Sequence, residues 1–152
     1  MQFRTVHRAV IAQFLLAAAL VVDSGRLPLN KYIMMDFQVS FFEAWRSCQF
    51  YGLQLASVTS TEDNRELSEL FNMSNRGNDT FWLAGTDIGR EGKWIWITTN
   101  KLVVQYSHWG SISPEFHESQ NCMAIGSFDN DRTLWDDIPC DEPRKYICQK
   151  VS

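Results

Sequence analysis

Histidine is scarce in this sequence: His7, His108 and His117 are the only three among 152 residues. His117-Glu118 is not followed by the second histidine that a zinc-protease helix requires. No Gly-x-Ser-x-Gly elbow and no glycine-rich phosphate loop occur. The paired acids Asp136 and Asp137 are adjacent, so on a strand they face opposite ways and do not converge on one glycosidic bond. An enzyme is therefore not expected. Basic runs are also missing, and the formal charge is −4. Phosphate binding needs clustered Lys and Arg, so nucleic acid is not an expected partner. The four cysteines include no close C-x-x-C pair, which argues against structural zinc. Past the N-terminus no apolar run approaches the ~20 residues of a membrane span.

What the chain has in quantity is apolar and aromatic surface. Hydrophobic residues make up 45% and aromatics 13%, with six Trp and ten Phe. That is enough for one well-packed domain and argues against disorder. The N-terminus reads as a leader. Arg4, His7 and Arg8 precede an apolar stretch, Ala9 to Val22, interrupted only by Gln13, and small residues follow at Ser24 and Gly25. Loss of residues 1–24 would remove two positive charges and one negative, so −4 becomes −5. A secreted protein is expected, with no membrane attachment after cleavage. In that compartment Cys48, Cys122, Cys140 and Cys148 should form two disulfides, and spacing alone leaves all three pairings open. No thiol is then spare, so any oligomer would be non-covalent. Two glycosylation sequons, at Asn72 and Asn78, fit an exposed polar loop over 72–80.

Along the chain, residues 31–38 read as a strand. Ser40 and Glu43 form a capping box for a helix whose stripe is Phe41, Ala44, Trp45 and Cys48, with Gly52 at its C-terminal left-handed position. Ser60 caps a second helix with Glu62 and Asp63 in its first turn and Leu67, Leu70 and Phe71 on its buried face. Short strands follow: 81–85, the period-two Trp94-Ile95-Trp96, 102–106, 122–125 and 144–149. Two helices followed by many short strands predict an α+β domain with an antiparallel sheet, over residues 31–150.

Taken together, these residues resemble the C-type lectin-like domain. Trp82-Leu83-Ala84-Gly85 is similar to the family's Trp-Ile-Gly-Leu strand, Glu91-Gly92-Lys93-Trp94-Ile95-Trp96 to its Glu-Gly-x-Trp-x-Trp run, and Trp135-Asp136-Asp137 to its Trp-Asn-Asp motif. The resemblance implies a fold of two helices packed on antiparallel sheets with a long loop region. It also implies the pairing Cys48–Cys148 and Cys122–Cys140.

The same resemblance implies a calcium site between a proline loop and the Trp-Asn-Asp strand, completed by two vicinal hydroxyls of a sugar. Carried over residue by residue, the ligands would be Ser113, Glu115, Gln120, Asp136 and Asp137, with Pro114 as the cis proline. Only Asp137 keeps the family's residue. Three carboxylates, one amide and one hydroxyl remain a suitable oxygen set for calcium. Carboxylates cannot donate to sugar hydroxyls, which leaves Gln120 and Ser113 as donors. The order neutral residue, proline, acid is that of galactose-type sites, and Phe116 is placed to stack on a sugar or to fill the loop. Asp87 and Glu91 match acids of an auxiliary calcium site whose loop acid falls at Phe116; turn and surface charge is the simpler reading for both. The expected ligand is a glycan or glycoprotein, and the alternative is a protein ligand bound without calcium or sugar.

Overall fold

The computed structural model describes residues 30–115, 118–127 and 130–151. The predicted leader, Phe116 and His117 lie outside these residues.

Chain entry and exit lie side by side. Strand β1 (Tyr32–Val39) pairs antiparallel with the last strand, β8 (Arg144–Gln149), in the register Tyr32↔Gln149 and Met35↔Tyr146, with an irregularity before Val39. Between them runs helix α1 (Phe41–Phe50). The Ser40–Glu43 capping box forms as the sequence predicts: the Ser40 side chain accepts from the Glu43 amide, and the Glu43 carboxylate from the Ser40 amide at 3.0 Å. Such a cap contributes about 1 kcal/mol. At the other end Gly52 has φ +70°. The Gly52 amide donates to the Gln49 carbonyl and the Leu53 amide to the Cys48 carbonyl, which is a Schellman closure. Phe41, Ala44 and Cys48 are buried, and Trp45 is half-buried at the edge of the same stripe.

After β2 (Gln54–Leu55), helix α2 (Thr61–Ser74) begins at Ser60, whose hydroxyl accepts from the Asp63 amide at 3.1 Å. Asp63 does more than favour the helix dipole. It is buried, and accepts from Lys31 Nζ at 2.6 Å and from the Thr59 amide at 2.9 Å. Burial opposes its charge, but these bonds outweigh burial and hold its pKa below the ordinary value. The helix runs further than expected. It ends at Asn75 in the left-handed region, so the loop predicted from residue 72 begins three residues later. Asn72 is therefore in the last helical turn, while Asn78 is in the turn beyond; both are exposed.

The remaining strands are β3 (Phe81–Thr86), β4 (Ile95–Trp96), β5 (Lys101–Leu102), β6 (Cys122–Ile125) and β7 (Trp135–Ile138). The eight strands join in the order β1-β8-β3-β4-β5, with β2 on β8, and with β6 lying between β3 and β7. The expected antiparallel arrangement holds with one exception, β3 against β8, which is parallel. The extended run expected over 102–106 is also cut short: β5 has only two residues, and the chain then leaves the sheet.

Every residue of β3 and β6 is buried. Gly85 is required here because an added Cβ would lie 2.3 Å from Met123 Cε. Trp82 anchors the helix to the sheet, edge-to-face on Phe41 at 5.7 Å, with its indole N–H donating to the Val39 carbonyl at 2.9 Å. The disulfides are those the resemblance implies. Cys48–Cys148 ties α1 to β8 across 100 residues, and Cys122–Cys140 ties β6 to the segment after β7. None of the described cysteines is free.

Candidate functional site

The proline loop meets β7 through the backbone first. The Trp135 amide donates to the His108 carbonyl at 2.8 Å, and the Gly110 amide to the Trp135 carbonyl at 2.9 Å. Trp109 thereby bridges Trp135 in parallel, and the two indoles pack edge-to-face at 5.6 Å. The loop consequently starts beside Asp136. The Ser113 amide then turns back to the Gly110 carbonyl at 3.1 Å, and the Ser113–Pro114 peptide is cis.

These constraints bring the two sequence clusters together. Ser113 Oγ donates to Asp136 Oδ1 at 2.5 Å. Asp136 is half-exposed, whereas Asp137 on the other face of β7 is 3% exposed. Neither oxygen of the Asp137 carboxylate has a hydrogen-bond partner. The backbone amides of Glu115 and of Asp137 itself face that carboxylate and favour its charge, while the charges of Asp136 and Glu115 are both felt there. Burial is the main cause of a pKa raised above the ordinary carboxylate value; the neighbouring acids add to it, and the Glu115 amide partly offsets it.

Gln120 precedes Asn121 and β6. Its Oε1 is buried and also lacks a partner. No hydrogen bond among the described residues ties Gln120 to Ser113, Asp136 or Asp137. Thus Ser113 meets Asp136 and Glu115 meets Asp137, while Gln120 is hydrogen-bonded to none of Ser113, Asp136 and Asp137 among the described residues. Phe116, the proposed stacking residue, lies outside the described residues.

The donors at hand can be tested against a hard cation. Three buried acceptor oxygens, two on Asp137 and one on Gln120, are without partners, and calcium prefers such oxygens. The chemistry of the set therefore suits calcium. The arrangement expected from sequence is looser than a finished site, however. Among the described residues no three of His, Cys, Asp and Glu gather into a metal-holding group. Strand alternation turns Asp136 and Asp137 to different faces, and Asp136 is engaged by Ser113. The Ser113 proton is also committed, which leaves Gln120 as the remaining side-chain donor of the five.

The Asp87 turn is clamped to this loop by Asn121, a contact that sequence reasoning missed. The Asn121 carbonyl accepts from Thr86 Oγ1 at 2.6 Å and from the Asp87 amide at 3.3 Å, and its side chain donates to the Glu118 carbonyl. Asp87 is no surface charge. It is 3% exposed, Oδ2 accepts from the Gly92 amide at 2.7 Å, Oδ1 is unpartnered, and burial raises its pKa. The turn reading of Asp87 holds and the surface reading does not, while Glu91 is exposed. His108 was also missed as an anchor. Its Nε2 lies 3.1 Å from Asp131 Oδ2, and Asp131 Oδ1 accepts from Thr133. The only signal in the sequence was its place just before Trp109.

The family model described as "Lectin C-type domain" matches residues 37–150. The chain is 24% identical over 122 residues to the C-type lectin mosGCTL-7 of Aedes aegypti, covering 78% of this chain and 81% of that one. It is 28% identical over 120 residues to lectin BRA-3 of Megabalanus rosa, covering 78% and 69%. Among solved structures, the herring type II antifreeze protein superposes with a TM-score of 0.69 at 24% identity, covering 80% of this chain and 90% of that one. The last likeness is one of fold alone. Among the described residues no helix is long and apolar enough to cross a membrane.

Proposed function

Since this chain belongs to the C-type lectin domain family, we propose that it is a secreted, glycosylated, non-catalytic carbohydrate-binding protein whose proline loop and β7 hold calcium. Ser113, Glu115, Gln120, Asp136 and Asp137 would be the ligands. When bound, calcium offers a coordination point for two vicinal hydroxyls of a sugar. One observation carries the reading: the buried, unpartnered oxygens of Asp137 and Gln120, which a cation would satisfy. An unsatisfied buried acceptor costs about 1–3 kcal/mol, and more when charged.

The chain's own residues set the limits of that site. Asp137 supplies a desolvated charge, Gln120 supplies the amide, and Ser113 orients Asp136. With Ser113 donating to Asp136, sugar hydroxyls have few donors to meet, so we expect weak binding with a lean toward galactose-type sugars. Exposed Asn72 and Asn78 are the proposed glycosylation sites. The experiment is retention of the mature protein on galactose and mannose resins in calcium, followed by elution with a chelator. Absence of calcium-dependent retention on either resin and on a glycan array would reject the lectin reading.

A second reading is favoured by the Ser113–Asp136 hydrogen bond, which occupies two of the proposed ligands with each other. In that reading the loop surface recognises a protein, with no need of calcium or sugar. A protein ligand captured equally well in calcium and in chelator would decide for it.

A further inference from the structure

A groove of about 1050 Å³ lies between the β4–β5 hairpin and the ends of β2 and β8, and it shares no residue with the proline-loop site. Its charged lining residues are all basic, although the chain as a whole is acidic. Lys31, Lys101 and Lys150 line it and no carboxylate does, in a sequence of net charge −4. Lys31 is committed to Asp63. Lys101 and Lys150 take part in no ion pair among the described residues, so two cationic groups remain uncompensated. The groove is also lined by Asn100 in the hairpin turn and by Gln105 beyond β5, whose side-chain amides make no hydrogen bond among the described residues.

Asn100, at φ +54°, closes the hairpin by donating its amide to the Trp96 carbonyl at 2.8 Å, which sets Lys101 opposite Trp96. Exposed Leu102 and Val104 give the same wall an apolar contribution. Cations, free amides that both donate and accept, and small apolar contacts for C–H faces together suit a saccharide bearing negative charge. A peptide fits less well. Strand addition needs an edge of useful length, and β5 has two residues.

We propose that this groove binds an acidic glycan, a chain carrying sulfate or carboxylate groups, through Lys101 and Lys150 and without calcium. The binding is separate from the metal-loop reading above and stands or falls independently of it. Because it replaces condensed counterions with lysines, it weakens steeply as salt rises.

The test uses the mature, disulfide-bonded protein secreted from cells, titrated in chelator. The probes are a short heparin-type sulfated oligosaccharide, an oligogalacturonate and a neutral oligosaccharide of equal length. We expect salt-sensitive binding of one or both acidic probes and none of the neutral one, with sulfate and carboxylate told apart by which acidic probe wins. Lys101→Glu with Lys150→Glu should weaken that binding about tenfold or more. Retention on neutral sugar resins should not change, and the circular dichroism should match the parent. If the double variant is not secreted, Lys101→Gln with Lys150→Gln takes its place. Binding indifferent to these substitutions, equal binding of the neutral probe, or tighter binding of a poly-glutamate peptide of matched charge would overturn the proposal.

Discussion

Replacing Asp137 by Asn tests the candidate site and its energetics in one measurement. Asp137 is a carboxylate 3% exposed, with both oxygens unpartnered and the charges of Asp136 and Glu115 nearby. In the metal-free protein this is a net cost. Asparagine has nearly the same shape and removes the charge, so we predict that in chelator Asp137→Asn is the more stable protein by about 1 kcal/mol. At about 4 °C per kcal/mol, that is a rise of about 4 °C in the unfolding midpoint. If calcium binds as proposed, it should reverse the order. At a hundred times its Kd it adds about 2.7 kcal/mol to the parent, or about 10 °C, and it should leave the variant unmoved. The pH dependence has a defined sign. Because the folded pKa of Asp137 is raised, its favourable contribution in chelator is full below the ordinary carboxylate value and is lost as pH rises through the folded value. The advantage of the variant should therefore grow from acid toward neutral pH. The assay is thermal unfolding by circular dichroism, with calcium and with chelator, across that range. A variant that is less stable in chelator and still rises with calcium as the parent does would refute the placement of the metal and the energetic argument alike.

Further predictions concern the scaffold. Replacing Cys48 and Cys148 by Ala opens a crosslink spanning 100 residues and should cost about 4.7 kcal/mol in the chain-entropy picture, against about 3 kcal/mol for Cys122 with Cys140, spanning 18; denaturant midpoints compare them. Gly85→Ala forces a Cβ against buried Met123 and should cost about 1–3 kcal/mol, with partial recovery on adding Met123→Ala, both read from thermal midpoints. Asp63→Asn breaks the contact to Lys31 and weakens those to Thr59, so a loss of about 2 kcal/mol is expected in urea titrations. Its folded pKa is lowered, so its contribution holds above the ordinary carboxylate pKa and disappears as pH falls through the folded value. Parent and variant should then converge only in strong acid.

The elements most legible in the sequence were those whose signal is local. The Ser40–Glu43 box and Gly52 fixed both ends of α1, because capping chemistry is written within a few residues. Fully apolar runs marked β3 and β6 for the same reason. The end of α2 was misjudged because polar Asn72 and Ser74 look like loop residues, yet the helix continues until Asn75 turns left-handed. The parallel β3–β8 pairing was not legible, since it depends on where the chain goes between Phe81 and its partner Lys145. At the candidate site the resemblance nominated five residues, and two of them, Ser113 and Asp136, do meet. It did not show that this contact uses the serine proton. Nor could the anchoring roles of Asn121 and His108 be read from their residue types. Asn121 clamps Thr86 and Asp87 through its backbone carbonyl, which every residue has, and the His108 ring meets Asp131, a residue 23 positions away in the chain.

The pairing of Tyr32 with Gln149, one residue past the partner of Cys48, also governs how the molecule answers to force. Tension applied through the two ends would peel β1 from β8, one pair of hydrogen bonds after another, rather than shear the sheet. On the C-terminal side the peeling reaches Cys148 almost at once, and there the load passes through sulfur to Cys48. Once β1 and the part of α1 before Cys48 have been drawn out on the N-terminal side, the pull is borne by covalent bonds. Ser113, Glu115, Gln120, Asp136 and Asp137 all belong to the closed 48–148 loop that carries none of it. A ligand held there could be dragged on through either terminus without its binding surface being unfolded.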